Sequence, residues 1–179
     1  PRNPNQPVGV SCIGDSVELK KLDQSFYTDH PRIEQALDFD MQSGTWTGNK
    51  VRGHGIVTID VNGLLFAITA RTNIKHNAAF ILQINRSDRQ VKGMGLDYSK
   101  SLLISDLKYV TSDVFVLSDK AAGKKLIGKE QHITNQFTKY VEKYISAIRK
   151  NDLFVLNSFD YRHTTLINYH KELGIENSK

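Results

Sequence analysis

The chain has 179 residues, enough to bury the core of one domain without disulfide or metal staples. Lys and Arg outnumber Asp and Glu by 24 to 19, and the net charge of +5 favours an anionic partner. The single cysteine, Cys12, excludes an internal disulfide, and no apolar run approaches the roughly 20 residues that cross a bilayer, so a cytoplasmic compartment is expected.

Pro1 to Ser16 hold three of the four prolines and lack the pattern of a secretory signal. They read as a flexible leader or expression remnant, and a single domain is expected over residues 17–179. Cys12 has no His or acidic neighbour in sequence and reads as a bystander thiol. Val17 to Leu22 predicts a short edge strand. Asp29-His-Pro-Arg-Ile-Glu-Gln-Ala-Leu37 predicts a helix with Asp29 as N-cap and Pro31 in its first turn. Asp40 to Lys50 is a polar loop that carries Trp46.

Gly55 to Val61 and Leu64 to Thr69 are apolar and β-branched, and Asn62-Gly63 between them suits a two-residue type I′ hairpin turn. That register sets Val61 opposite Leu64 and Ile59 opposite Phe66, and gathers Arg52, His54, Arg71 and Thr72 at the open end. Phe80 to Ile84, Ser101 to Ser105 and Val114 to Leu117 predict further strands, with a basic loop over Asn85 to Gly95. Short strands without crossover helices predict an α+β fold: a small curled antiparallel β-barrel decorated by helices. Ile133, Phe137, Val141, Tyr144, Ile145 and Ile148 recur at spacings of three and four, the apolar stripe of a long amphipathic helix. Leu153 to Leu156 predicts a strand. Tyr161 to Leu173 predicts a second C-terminal amphipathic helix ended by Gly174.

Between Arg52 and Ser101 the sequence concentrates cations, imidazoles and hydroxyls without a set of acidic metal ligands, a composition suited to holding a phosphate. Cutting RNA without a metal needs a base for the 2′-hydroxyl, donors for the charge growing on phosphorus-bound oxygens, and an acid for the leaving 5′-oxygen. His54 and His76 are candidates for proton transfer, and Arg52, Arg71, Thr72 and Lys75 for the clamp. Ser99, Lys100 and Ser101 offer a second hydroxyl-and-lysine rim. Further RNA contacts are expected from Trp46 and Tyr98 by stacking, from the loop cations Lys50, Arg86, Arg89 and Lys92, and from Lys139 and Lys143 on the polar face of the long helix. No metal or cofactor is expected: the sequence contains no Gly-rich phosphate loop, no Cys-x-x-Cys, no His-x-x-x-His and no Gly-x-Ser-x-Gly. A non-catalytic RNA-binding module needs the same basic surface without a proton shuttle. A third reading assigns the C-terminal helices to a homo-oligomer interface.

Phe66-Ala-Ile-Thr-Ala-Arg-Thr-Asn-Ile-Lys-His76 and Gly95-Leu-Asp-Tyr-Ser-Lys-Ser-Leu-Leu-Ile104 resemble the toxin component of type III toxin-antitoxin systems, in particular the TenpN branch of the ToxN/AbiQ-like toxins. Leu19-Lys-Lys-Leu-Asp-Gln-Ser-Phe-Tyr-Thr-Asp-His30 and Lys129-Glu-Gln-His-Ile-Thr-Asn-Gln-Phe-Thr-Lys-Tyr-Val-Glu-Lys-Tyr144 are similar to that group as well. The resemblance implies a barrel related to the MazF and Kid toxins and a metal-independent, sequence-selective endoribonuclease that leaves a 2′,3′-cyclic phosphate on cellular mRNA. It also implies inhibition by a repetitive folded RNA antitoxin in a ring-like assembly, and a role in phage defence. Arg71, Thr72 and Lys75 match the family's Thr-Ser-x-Lys type patch, and Arg52 takes the place of an earlier Lys. The chain departs from the pattern at Arg71, where a hydroxyl is expected, and at Thr69-Ala70, where Pro-Leu is expected.

Overall fold

The computed structural model describes residues 18–48 and 51–175. The segment expected to be a leader, with Cys12, and the expected RNA contact Lys50 lie outside the described residues. In chain order the elements are β1 (Leu19–Leu22), α1 (Gln24–Asp29), β2 (Phe39–Asp40), β3 (Thr45–Trp46), β4 (His54–Thr58), β5 (Leu65–Ile74), β6 (Ala79–Ile84), β7 (Gly93–Leu103), β8 (Val110–Val114), α2 (Lys120–Lys124), α3 (Glu130–Lys150) and α4 (Leu153–Leu156). The fold is α+β. Six strands form one antiparallel sheet in the order β6-β7-β5-β4-β1-β8, and β2 pairs with β3 apart from it.

The sheet does not close into the expected barrel, because β6 and β8 are its two edges and no strand ladder joins them among the described residues. The chain after β8 fills the gap instead. The Phe115 N–H donates to Leu19 O in β1 at 2.7 Å, and ten residues on the Lys125 ammonium donates to Leu82 O in β6 at 2.6 Å. A loop and α2 thus run from the β1–β8 side of the sheet to β6. β1, expected at an edge, lies inside the sheet between β4 and β8.

Asn62 and Gly63 adopt positive φ of 53° and 63°, and the Leu64 N–H donates to Val61 O at 3.2 Å, so the turn forms where expected. The register does not. Ile59 N–H donates to Leu64 O, and Val57 pairs with Phe66, which loops out Asp60 and Val61. A slip of an even number of residues keeps each side chain on its own face, and Val57, Ile59, Phe66 and Ile68 are all buried. β5 runs on past Thr69 to Ile74, so Arg71 and Thr72 stand inside a strand. β7 takes in the end of the expected loop as well as the expected strand at Ser101.

Pro31 ends a helix where the sequence suggested that it begins one. Asp23 caps α1 by accepting from the Ser25 N–H at 2.9 Å, and His30, with φ −118° and ψ 72°, has the extended-side geometry that a following proline imposes. Trp46 is likewise no free loop aromatic: its indole N–H donates to His30 O at 2.9 Å, and its ring packs on Tyr27 and Phe39. The stripe on α3 is as expected, with Ile133, Phe137, Val141, Tyr144 and Ile145 buried against the sheet. Leu153–Leu156 is a helical turn, not a strand, capped by Asp152. Tyr161 to Leu173 forms turns around a 3-10 segment, Thr165–Asn168, so the second long helix is absent. Thr164 and Thr165 account for this: each spends its hydroxyl on a bond outside a helical ladder, Thr164 on the Leu166 N–H and Thr165 on β7 carbonyls. No helix among the described residues is long and apolar enough to cross a membrane.

Candidate phosphate site

The geometry of the site starts from an irregularity in β7. Asp97 pairs with Thr69 of β5 and with Ala79 of β6, yet Leu102 already faces Ala67, so Tyr98, Ser99, Lys100 and Ser101 have only Ile68 opposite them. Such a bulge leaves carbonyls without ladder partners. Thr69 Oγ1 donates to Lys100 O at 2.7 Å, and Thr165 Oγ1 donates to Ser101 O at 2.5 Å and to Ser99 O at 3.3 Å. The bulge brings Ser99 and Lys100 to the wall of a cavity of about 190 Å³, shared with Arg71, Lys75 and His76 from the end of β5 and with Phe159, Arg162 and His163 from the turn after α4.

Beneath this cavity lies a fully buried carboxylate. Asp97 accepts from the Ser99 N–H at 3.0 Å, from Ser99 Oγ at 2.7 Å, from Arg71 Nη1 at 2.9 Å and from His76 Nε2 at 3.2 Å. Burial alone would raise its pKa, but the His76 bond, the His76 charge, Ser99 and Arg71 together hold it below the ordinary carboxylate value. An ionised Asp97 only accepts, which places a proton on His76 Nε2, where it also meets Ser99 Oγ at 3.2 Å. His76 Nδ1 is buried with no hydrogen-bond partner among the described residues. Asp97 therefore fixes the guanidinium of Arg71 and the ring of His76 from below.

Lys100 is spent on structure. Its ammonium donates to Gln35 O at 2.8 Å and to His163 O at 2.7 Å, and burial pulls its pKa down to about 8. This bond holds the backbone of His163 at the cavity mouth. The His163 ring is exposed there, and partial burial, with the Lys100 and Arg162 charges next, lowers its pKa below the ordinary imidazole value. At neutral pH it is an uncharged ring able to accept a proton. Lys75 is exposed beside it, and no carboxylate among the described residues pairs with it.

The other candidates fall elsewhere. His54 is 1% exposed, burial drops its pKa to about 4, and it lines a separate recess with Tyr27, Trp46 and Arg52, so it is no shuttle for the cluster. Arg52 is held by both oxygens of Asp38. It stands between that recess and a larger groove of about 500 Å³, which Thr72, Asn73, Gln83, Asn85 and Phe115 also line. Thr72 is thus outside the smaller cavity, while Arg71 lines both spaces. Gly53 makes room for protein, not substrate: a Cβ there would meet the Phe115 ring at 2.3 Å.

Ser101 is wholly buried, its hydroxyl without a partner among the described residues, and Tyr98 is buried with its hydroxyl donating to Gln136 Oε1 at 2.9 Å, so neither reaches a ligand. Arg86, Arg89 and Lys92 are exposed on the β6–β7 loop, and Lys139 and Lys143 on the outer face of α3. Neither group lines the small cavity. Among the described residues no three His, Cys, Asp or Glu side chains gather in a group able to hold a metal ion. Comparison with known protein families, curated proteins and solved structures finds no match for this chain.

Four residues at the cavity escaped sequence reasoning: Asp97, Phe159, Arg162 and His163. Asp97 lies within the Gly95–Ile104 motif but carries no local mark of its burial. Phe159 falls between predicted elements, Arg162 and His163 lie where the pattern predicts a helix that does not form, and their approach to Lys75 across the fold has no sequence signal.

Proposed function

We propose that the chain is a metal-independent endoribonuclease and, on the resemblance of its motifs, the toxin of a type III system held in check by a repetitive RNA. The observation that carries this reading is the convergence of Arg71, Lys75, His76, Arg162 and His163 on one cavity above a buried, fully paired carboxylate. A phosphodiester placed there meets cations on several sides, and a neutral imidazole stands at the mouth.

In the proposed reaction His163 accepts the proton of a ribose 2′-hydroxyl. The 2′-oxygen forms a bond to phosphorus while the bond from phosphorus to the 5′-oxygen breaks. Lys75 gives its proton to the leaving oxygen, and Arg71 and Arg162 stabilise the charge on the non-bridging oxygens. The products are a 2′,3′-cyclic phosphate and a free 5′-hydroxyl. The kinship with MazF and Kid toxins that the resemblance implies rests on the motifs, since the sheet is open between β6 and β8.

The test is incubation of purified protein with single-stranded RNA in the presence of EDTA, followed by analysis of the new ends. Cyclic-phosphate ends that Lys75→Ala reduces by about 100-fold or more support the reading, the magnitude being that of a lost transition-state donor. Full cleavage by Lys75→Ala refutes the assignment. A second reading, a non-catalytic RNA-binding module, is favoured by one observation: His54, Thr72 and Lys75 line three different spaces. RNA that is bound and left intact would select it.

A further inference from the structure

Phe159 stands at the mouth of the same cavity with 63% of its surface exposed. The backbone on either side of it is pinned. Ser158 Oγ donates to Val155 O at 2.6 Å, Asp160 accepts the Asn77 N–H at 2.8 Å, and the Tyr140 hydroxyl donates to Asp160 O at 2.9 Å. Next along, Tyr161 is buried, its ring stacked on Tyr140 at 4.6 Å between centroids. The fold thus fixes the position of Phe159 without using its ring. Among the described residues, the Arg162 guanidinium is the one cation over that ring, 3.9 Å from the centroid, and no aromatic ring stacks on it.

An exposed aromatic held on a rigid turn, beside cations that line a phosphate-sized cavity, has the two parts by which single strands are held: a charged seat for the backbone and a flat apolar face for a base. Arg162 lies over the ring, and most of the residue's surface meets solvent. A double helix could not use this arrangement, because its bases are stacked inward, and free phosphate would leave the ring unused.

We propose that Phe159 is the stacking platform for an unpaired nucleobase adjoining the phosphate held by Arg71, Lys75 and Arg162, which makes single-stranded RNA the ligand of the cavity. This rests on the functional reading above and adds the strandedness of the substrate and the residue that selects it. Stacking of this kind tolerates any base, so selectivity for sequence must come from elsewhere, and the groove shared through Arg71 is the adjoining surface.

The test uses a short 2′-O-methyl oligoribonucleotide, which has no free 2′-hydroxyl to react, and a matching abasic oligomer with the same phosphates and no bases. Binding of both is read by fluorescence anisotropy with wild type, Phe159→Ala and Phe159→Trp. The alanine variant should lose about 5- to 140-fold in affinity for the base-bearing strand, which is roughly 1 to 3 kcal/mol per stacked base converted at 1.4 kcal/mol per tenfold. It should bind the abasic oligomer as wild type does, and the tryptophan variant should restore binding of the base-bearing strand. Equal losses on both oligomers, or none on the base-bearing one, overturn the stacking role. A wild-type protein that binds neither oligomer overturns the functional reading with it, whereas normal cleavage with an indifferent Phe159→Ala overturns the stacking role alone.

Discussion

Asp97→Asn keeps the shape of the buried side chain and removes its charge, which makes it the sharpest probe of the network under the cavity. Asp97 is 0% exposed and receives four donors, two from Ser99 and one each from Arg71 and His76. An asparagine accepts through one oxygen and turns an amide N–H₂ toward donors on its other side. Breaking a buried ion pair costs about 3 to 5 kcal/mol. Arg71 is 30% exposed, so water recovers part of its lost pairing, and the lower end, about 3 kcal/mol, is expected. With a urea dependence of about 2 kcal/mol per molar, the unfolding midpoint should drop by about 1.5 M. The carboxyl is held below its ordinary value of 3.8, so its contribution is complete above that value and is lost as the pH falls through the lower folded value. The gap between wild type and variant should therefore be widest at neutral pH and shrink under strong acid. A midpoint shift smaller than about 0.3 M at pH 7, or a gap of constant size down to pH 2, would refute an ionised, paired Asp97.

Three further outcomes are expected. The His54 pKa is depressed from 6.5 to about 4, so below pH 6.5 the unfolded chain takes up protons that the folded chain refuses. Stability should fall by roughly 3 kcal/mol between pH 6.5 and 4, at 1.36 kcal/mol per unit, and His54→Gln should remove that slope in urea titrations run across this range. His163→Gln should slow cleavage and abolish the acid limb of the kcat/KM profile, which the lowered imidazole pKa places below pH 6.5; an unchanged limb would reassign the base. Arg52→Met breaks the half-buried pair with Asp38 and should cost about 1 kcal/mol in thermal unfolding; no change in the melting temperature would show the pair to be idle.

What the sequence made legible divides by the range of the interactions responsible. The Asn62-Gly63 turn and the stripe on α3 were readable because positive φ and helical period are properties of a few neighbouring residues. The register of the same hairpin was not, since looping out Asp60 and Val61 leaves the alternation of Val57, Ile59, Phe66 and Ile68 undisturbed. Barrel closure failed for a non-local reason as well. Whether β6 meets β8 depends on how the chain from Phe115 to Lys125 docks against Leu19 and Leu82, and no window of sequence contains that contact.

The candidate site shows the same division more sharply. Arg71, Lys75, His76, Ser99 and Lys100 were legible as two separate cationic and hydroxyl-bearing segments, and the structure joins them in one cavity. What joins them is the bulge in β7, whose stray carbonyls are satisfied by Thr69 and by Thr165, the latter 64 residues beyond Ser101. That dependence also explains why the C-terminal segment forsakes the helix its apolar pattern suggested. A helix over residues 161–173 would withdraw the Thr165 hydroxyl from β7 and carry the His163 carbonyl away from Lys100, leaving a buried ammonium with Gln35 O alone and two carbonyls without the Thr165 donor. The bulge, the turn and the cationic cavity are therefore one cooperative unit. Residues that looked like a rim on β7 act largely as its fasteners, and the groups free to meet a phosphate are those the fastening holds in place: Arg71, Lys75, Arg162 and His163.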